Sequence, residues 1–563
     1  MVKIGMDFGT TYSMLSHVVK DSVTGQDRVT GLSLGADENE LSHVVKSIIV
    51  KMPNEELQFG EAAYEEKNEP GVVTFIGFKM MMTETSPQRL AEKKYGNKLT
   101  PGYLSEQFIL NYISAYLDQT SENEVEKLII GVPNIWFEKP ELYDVRGKLI
   151  EGIASHSDMI KNVDLIKEPE AAAAYFIDKY YKMKNSHYTG YVLMIDYGGG
   201  TLDIALCEVK HNNERPDISV KYYTGAGENQ EGFIGNAGLA FLEKVVCLAA
   251  ATDEISEDDV KLKLSFSNAI YKLERKIITG DKKIQEALKD RLADRKGNTK
   301  QFDSFLMEGR QIKVTFGMLA QAYGDVIEAI LVDRLEIMKD YMLAHNIDYS
   351  PDADNFKIVP VGGFCKFFLT RETIMEAFSQ ELGILAGEDK RFEEIITGSD
   401  YEKAISYGAA LIANEIVDIR PTAPYSIGIV EPITVNREKK KRLHFVIKYG
   451  EDIKQNEPVY YSKPFIAGPN AILTLCFQFS GDGPRSRETK PEFFDRLKIK
   501  SGFCRLGFSF DNSSVLTIHK AYFANPKDAV NFANQLDESK DRLAYILDVV
   551  GDGLYAVEDE EYV

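Results

Sequence analysis

Ile4-Gly5-Met6-Asp7-Phe8-Gly9-Thr10-Thr11 and, far downstream, Leu193-Met194-Ile195-Asp196-Tyr197-Gly198-Gly199-Gly200-Thr201 follow one order: an apolar run, an aspartate, an aromatic residue, glycine, then small residues. Each leads into a second β-type run, so the chain carries a duplicated strand-turn-strand unit. An aspartate at a strand end can hold Mg²⁺, usually through its waters, and glycines let the N–H groups of the turn approach phosphate oxygens closely. Two such hairpins facing each other would clamp a triphosphate. Either one alone reads equally well as a Gly-rich hairpin.

Outward from these stretches, short β-type runs such as Leu128-Ile129-Ile130-Gly131-Val132 alternate with helical patterns such as Leu104 to Tyr116, where Phe108, Ile109, Tyr112, Ile113 and Tyr116 share a face. That is α/β texture. From about Arg420 the sequence becomes Val-, Ile-, Phe- and Tyr-rich with Pro and Gly punctuation, which predicts a separate all-β domain. Asn525-Pro526 then opens a helical pattern in which Ala529, Phe532, Ala533, Leu536, Leu543, Leu547 and Val550 repeat on one face. The expected division is an ATPase-type α/β domain over 1–415, a linker over 416–424, a β-sandwich over 425–524, one amphipathic helix over 525–550 and an acidic tail over 551–563.

The 563 residues amount to roughly three to four folding units at about 150 residues each. Hydrophobic residues at 44% and charged residues at 27% exclude collagen-like and wholly disordered chains. A net charge of -21 argues against nucleic acid or an anionic membrane as the main partner, and no run of about 18 uncharged apolar residues marks a membrane span. Cys207, Cys247, Cys365, Cys476 and Cys504 lie far apart with no Cys-x-x-Cys pair, and the start shows no leader pattern. Both observations point to reduced thiols and a cytoplasmic setting.

The two aspartate turns, together with Ile130-Gly131-Val132-Pro133, Glu168-Pro169-Glu170-Ala171-Ala172-Ala173-Ala174, Val361-Gly362-Gly363 and Ala404-Ile405-Ser406-Tyr407-Gly408-Ala409-Ala410, occur in an order that resembles the seventy-kilodalton heat-shock chaperones of the DnaK type, within the actin, sugar-kinase and heat-shock ATPase superfamily. The resemblance is strong to about residue 415 and weaker through the β region, where Ala423-Pro424-Tyr425-Ser426-Ile427-Gly428-Ile429 looks like the family's entry into its peptide-binding sandwich. It implies an actin-like, two-lobed ATPase domain with a duplicated ribonuclease-H-like core, followed by a β-sandwich substrate-binding domain and a shortened helical lid.

By that resemblance, Asp7 and Asp196 organise Mg²⁺ and its waters, and Gly9, Thr10, Thr11, Tyr12, Gly198, Gly199, Gly200 and Thr201 cradle the phosphates of ATP or ADP. Lys79 matches the family's catalytic lysine and Glu168 the carboxylate that orients attacking water, with Thr201 near the γ-phosphate and Asp203 in the same polar network. The residues themselves also allow a solvated surface Lys79 and an ion-paired or capping Glu168. Gly232 and Gly235 fall near the family's ribose and phosphate loop. On the adenosine side, Arg275, Lys276, Thr279, Gly362, Gly363 and Lys366 occupy family positions, but Lys272 replaces the family's acid and Phe364-Cys365-Lys366 replaces its Ser-Thr-Arg, so the arginine plane that would stack on adenine is missing.

The linker is reduced to Ile416-Val417-Asp418-Ile419, and Glu141 stands where the family has an arginine. Ile429, Tyr460 and Ile472 fall near the family's peptide groove, although apolar residues of a sandwich are more often core. The resemblance implies an ATP-dependent chaperone with unfolded or extended polypeptide clients, and with J-domain co-chaperones and nucleotide exchange factors as partners. A nucleotide-switched, actin-like scaffold or filament protein is one competing reading, and a sugar or small-metabolite kinase using the same clamp is the other, although a β-sandwich appended near residue 420 has no role in phosphorylating a small molecule.

Overall fold

A computed structural model describes residues 1–21, 25–31, 43–120, 122–138, 143–212, 215–226, 237–257, 264–278, 282–292, 298–307, 309–379, 389–393, 395–398, 400–435, 437–454, 457, 459–460, 465–469, 472–478, 493–510, 516–531, 544–548 and 554–556. They form two compact units. The first comprises Met1–Asn134, Asp144–Ile218 and Tyr223–Ile419, and the second Ile135–Tyr143, Ser219–Tyr222 and Arg420–Val563.

In the first unit, strands β1 (Val2–Asp7), β2 (Tyr12–Lys20), β3 (Asp27–Gly31), β4 (Val125–Val132) and β5 (Val163–Lys167) form a sheet in the order β3-β2-β1-β4-β5. A second sheet runs β9-β6-β7-β8-β10, built from β6 (Gly190–Tyr197), β7 (Leu202–Asn212), β8 (Arg215–Ala226), β9 (Phe356–Val361) and β10 (Asp418–Ile419). The repeat in the sequence is thus a repeat in topology. In each sheet the aspartate-bearing strand pairs antiparallel with its hairpin mate on one side and parallel with a later strand on the other. The unbroken runs Leu128–Ile130 and Val192–Ile195 are buried, as expected of strands covered on both faces.

Two helices, Glu168–Lys184 and Asp400–Ala413, meet backbone to backbone. A Cβ on Gly408 would stand 1.6 Å from the Ala171 carbonyl oxygen, and one on Gly5 of β1 would stand 2.1 Å from the Ala410 nitrogen. Ala171–Ala174 and Ala409–Ala410 are fully buried, and only such small residues permit this approach. Nearby, Arg391 and Asp389 form a buried pair, with Nη2 to Oδ2 at 2.6 Å and Nε to Oδ1 at 2.9 Å, and the guanidinium also donates to the Tyr349 and Phe378 carbonyls. Removing one partner strands a buried charge, so Asp389→Ala is expected to cost about 3–5 kcal/mol by urea denaturation. A loss below about 1 kcal/mol would show that water reaches Arg391.

The second unit contains β11 (Ser426–Val435), β12 (Glu438–Ile447), β13 (Val459–Tyr460), β14 (Phe465–Ala467), β15 (Ile472–Gln478), β16 (Phe493–Lys498), β17 (Gly502–Phe510), β18 (Leu516–Phe523), β19 (Ala544–Asp548) and β20 (Leu554–Ala556). One sheet runs β16-β15-β11-β12-β19-β20. The other runs β13-β17-β14, with β18 also on β17. Ile427, Ile429, Leu475 and Phe477 of the first sheet share one apolar cluster with Cys504, Leu506, Phe508 and Phe510 of the second.

The C-terminal expectation needs correction. Asn525 does cap a helix, its Oδ1 accepting from the Asp528 N–H at 3.0 Å, and Pro526–Asn531 is helical. Leu547, however, lies in β19, where Tyr545-Ile546-Leu547 pairs antiparallel with Leu443-Arg442-Lys441 of β12. A β-favouring run beside an available strand edge forms a ladder, and cross-strand pairing overrides the helical period. Phe532, Ala533, Leu536, Leu543 and Val550 lie outside the described residues.

All five cysteines are buried thiols without disulfides. No helix among the described residues is long and apolar enough to cross a membrane.

Candidate functional site

The two aspartate turns face each other in the first unit. Asp7 ends β1 opposite Met14 and beside Gly131, and Asp196 sits near the end of β6 opposite Asp203 and beside Val361. The first turn is tight enough that a Cβ on Gly9 would lie 2.0 Å from the Tyr12 carbonyl oxygen. Ser47 secures it, donating through Oγ to the Gly9 carbonyl and through its N–H to the Thr11 carbonyl, each at 2.8 Å. The second turn closes with the Gly198 N–H donating to the Thr201 carbonyl at 3.0 Å. Across the gap, a Cβ on Gly199 would stand 2.8 Å from Thr11 Oγ1, and one on Gly200 would stand 2.7 Å from Thr10 Oγ1. The gap is therefore lined by backbone and small hydroxyls, a surface suited to phosphate oxygens.

Gly362 joins this site because it has no side chain. Its φ is +81°, and a Cβ there would lie 2.3 Å from Asp196 Oδ1. Lys79, on the short helix Phe78–Met81, and Glu168, the first residue of its helix, meet at 2.7 Å and are both almost wholly buried. Lys79 is accordingly no solvated surface lysine, and Glu168 is ion-paired inside the cavity. Tyr223 Oη donates to Asp203 Oδ1 at 2.8 Å, and the Thr201 hydroxyl lies close enough to hold the Asp203 carboxyl down against burial.

The cavity is strongly acidic. Asp7, Glu168, Asp196, Glu274 and Glu402 line it, and Lys79 is the one cation among the described lining residues. Burial, then the charge of Glu168, pushes Asp7 up to about 7 against the opposing pull of Lys79. Burial and the neighbouring Glu168, Asp203 and Asp7 hold Asp196 well above the usual carboxylate range. Burial followed by Glu168 raises Asp203 to about 6. Among the described residues no three His, Cys, Asp or Glu side chains converge as direct metal ligands. A divalent cation held through water and phosphate is the arrangement that would relieve this charge.

Glu274 was not foreseen from the sequence. It lies on the helix Leu264–Ile278 in line with buried Ile270, Ile277 and Ile278, and an acid inside an apolar stripe was the available signal. Burial raises it to about 8, with the Thr11 hydroxyl close enough to oppose the shift. Contact falls short of a hydrogen bond, since Glu274 Oε2 and Thr11 Oγ1 are both buried without a partner among the described residues. An acid whose value rises on folding contributes stability below its ordinary 4.5 and loses it as pH climbs to about 8. Glu274→Gln should therefore remove a slope of up to about 1.4 kcal/mol per pH unit across that window. Denaturation midpoints of both proteins at pH 5 and pH 8 test this, and parallel pH profiles would sink it.

Several expected residues lie elsewhere. Lys366 is bound to Glu402 and does not line the cavity. Lys276 donates to the Phe302 carbonyl at 3.0 Å and faces Asp303 at 3.4 Å. Arg275 lines an adjacent cavity. Gly232, Gly235 and Thr279 are outside the described residues. Ile429 is core, 1% exposed, because its strand places it between the two sheets, whereas Ile472 is 56% exposed. The backbone of Tyr460 pairs with Gly507, and its side chain is outside the described set.

No protein-family model matches the chain. It is 27% identical over 231 residues to the chaperone protein DnaK of Mycoplasmoides gallisepticum, a match covering 41% of this chain and 33% of that protein. It is 29% identical over 209 residues to DnaK of Metamycoplasma hominis, covering 37% and 30% respectively. It is also 26% identical over 221 residues to the movement protein Hsp70h of lettuce infectious yellows virus, covering 36% and 37%. The chain thus spans about a third of the length of the curated relatives it matches. It is a divergent relative of the seventy-kilodalton heat-shock, or DnaK, family.

Proposed function

We propose that the protein is a heat-shock-type ATPase that binds ATP with Mg²⁺, hydrolyses it to ADP and phosphate, and thereby controls the binding and release of unfolded or extended polypeptide. The observation that carries this reading is the pair of aspartate turns facing each other with the buried Lys79–Glu168 pair in the same cavity. The repeated sheet topology supports a two-lobed ATPase domain, and the shared apolar cluster supports a β-sandwich substrate domain.

Asp7 and Asp196 would hold Mg²⁺ through its waters, and the ion would neutralise charge developing on the phosphoryl oxygens. The N–H groups of both turns and the Thr10, Thr11 and Thr201 hydroxyls bind phosphate oxygens. Lys79 places positive charge beside the transferring group, and Glu168, fixed by Lys79, orients the attacking water. Catalysis is then positioning plus electrostatics, with no covalent intermediate. J-domain proteins and exchange factors are the partners this reading implies.

The test is ATP turnover by the full chain with and without a panel of extended apolar peptides, beside Asp196→Asn. Peptide-stimulated turnover that Asp196→Asn abolishes supports the chaperone reading. Basal turnover indifferent to peptide, with sedimentation that grows with protein concentration and ATP, transfers it to an actin-like scaffold.

A further inference from the structure

A second cavity of the first unit has no part in the reaction proposed above. It measures about 920 Å³, within the 300–1,000 Å³ usual for small-molecule sites, and all its described lining residues belong to that unit. Strand β9 forms one wall through Lys357, Ile358 and Val359. The helix Phe368–Ser379 forms another through Arg371, Ile374 and Met375, which its period puts on one face. Tyr180 and Phe392 add aromatic surface. Among the described residues only Tyr401 lines both this cavity and the phosphate-side one.

Charge is spread unevenly over these walls. Lys184, Lys357, Arg371 and Lys390 stand against Asp354, Asp389 and Glu393. Asp389 is already bound by Arg391, and Lys390 pairs with Asp354 at 3.0 Å, both side chains being mostly exposed. Deeper in, one carboxylate, that of Glu393, is shared between the ammonium groups of Lys184 and Lys357. Arg371 adds a further cation on the helical wall.

Lys357 sets the chemistry of the site. It is 4% exposed in a strand of otherwise apolar residues, and its ammonium has three N–H donors. Nζ donates to the Lys390 carbonyl at 2.8 Å, its one hydrogen bond among the described residues, and stands 3.6 Å from the Glu393 carboxylate, beyond hydrogen-bond reach. A buried charge with so few acceptors favours a further anionic partner, and the apolar walls suit the body of a molecule that carries one. Glu393 stays in place nearby, and its repulsion favours a singly charged carboxylate over a doubly charged phosphate.

We propose that this cavity binds a small organic carboxylate, the acid group held by Lys357 and Arg371 and an aromatic or aliphatic body lying against Tyr180, Ile374 and Met375. The proposal does not depend on nucleotide binding at the glycine turns.

Equilibrium dialysis of 1-naphthaleneacetate and of its neutral amide against the full chain tests it. The acid is expected to bind about tenfold or more tightly than the amide, because charge-assisted hydrogen bonds distinguish the two probes. Arg371→Gln, at an exposed position, should weaken the acid about threefold or more and leave the amide unchanged. Glu393→Gln should tighten the acid, since it removes the competitor for Lys357 and Lys184. Lys357→Met should bring the acid down to the level of the amide, and if that variant does not fold, the opposite signs expected of Arg371→Gln and Glu393→Gln decide. Equal binding of acid and amide, or acid binding unchanged in both Arg371→Gln and Glu393→Gln, would overturn the site. Displacement of the acid by inorganic tripolyphosphate with Mg²⁺ would also overturn it, by placing the probe between the glycine turns.

Discussion

Lys79→Met is expected to lower ATP turnover by about a hundredfold or more, because it deletes the one positive side chain among the described groups that line the acidic cavity. Phosphoryl transfer spreads charge over the equatorial oxygens, and a fixed cation in a water-poor site acts on that charge far more strongly than one in bulk water. The substitution has a second consequence. Glu168 loses its 2.7 Å partner while remaining buried, which should destabilise the fold by about 3–5 kcal/mol. The double variant Lys79→Met/Glu168→Gln separates the two effects, since it removes the stranded charge and should recover most of the stability with none of the turnover. Wild-type turnover in folded Lys79→Met would take Lys79 out of the chemistry.

Gly408→Val is expected to abolish cooperative folding of the first unit. Its Cβ would lie 1.6 Å from the Ala171 carbonyl oxygen on the neighbouring helix, and that oxygen is backbone, so no rotamer change relieves the overlap. Losses above about 4–5 kcal/mol are rare for single substitutions, and a forced separation of two helix backbones belongs with them. Gly96→Ala is the control, with nothing within 4 Å of its would-be Cβ and an expected change within about 0.5 kcal/mol. A Gly408→Val protein that melts within a few degrees of wild type would mean that the two helices do not sit this close.

The strands bearing Asp7 and Asp196, and the turns after them, were legible because short apolar runs ending in Asp and Gly carry local information: strand, stop, tight turn. The meeting of Lys79 with Glu168 was legible only through resemblance, since no local pattern links positions 89 residues apart. Glu274 is not legible in the same way, because the family pattern places its acid where Lys272 stands, while the burial of Glu274 is set by which face of the helix packs inward. Strand β19 departs from the sequence expectation for a related reason. Leu543, Leu547 and Val550 satisfy a helical period, but the edge of β12 was available to Tyr545–Leu547, and pairing there is a long-range event that periodicity does not encode.

The five buried thiols turn the molecule into its own clock. A thiol reagent attacks thiolate, and burial both hides these sulfurs and raises the Cys207 and Cys365 thiols, so modification waits for local opening. Cys207, Cys247 and Cys365 time the first unit, while Cys476 and Cys504 time the second, without any label being introduced. Cys365 donates to the Ile195 carbonyl, immediately before Asp196, so a nucleotide bound there should slow its modification. Whether the same nucleotide also changes the rates at Cys476 and Cys504 then measures, in one mass-spectrometric time course, how much free energy passes from one unit to the other.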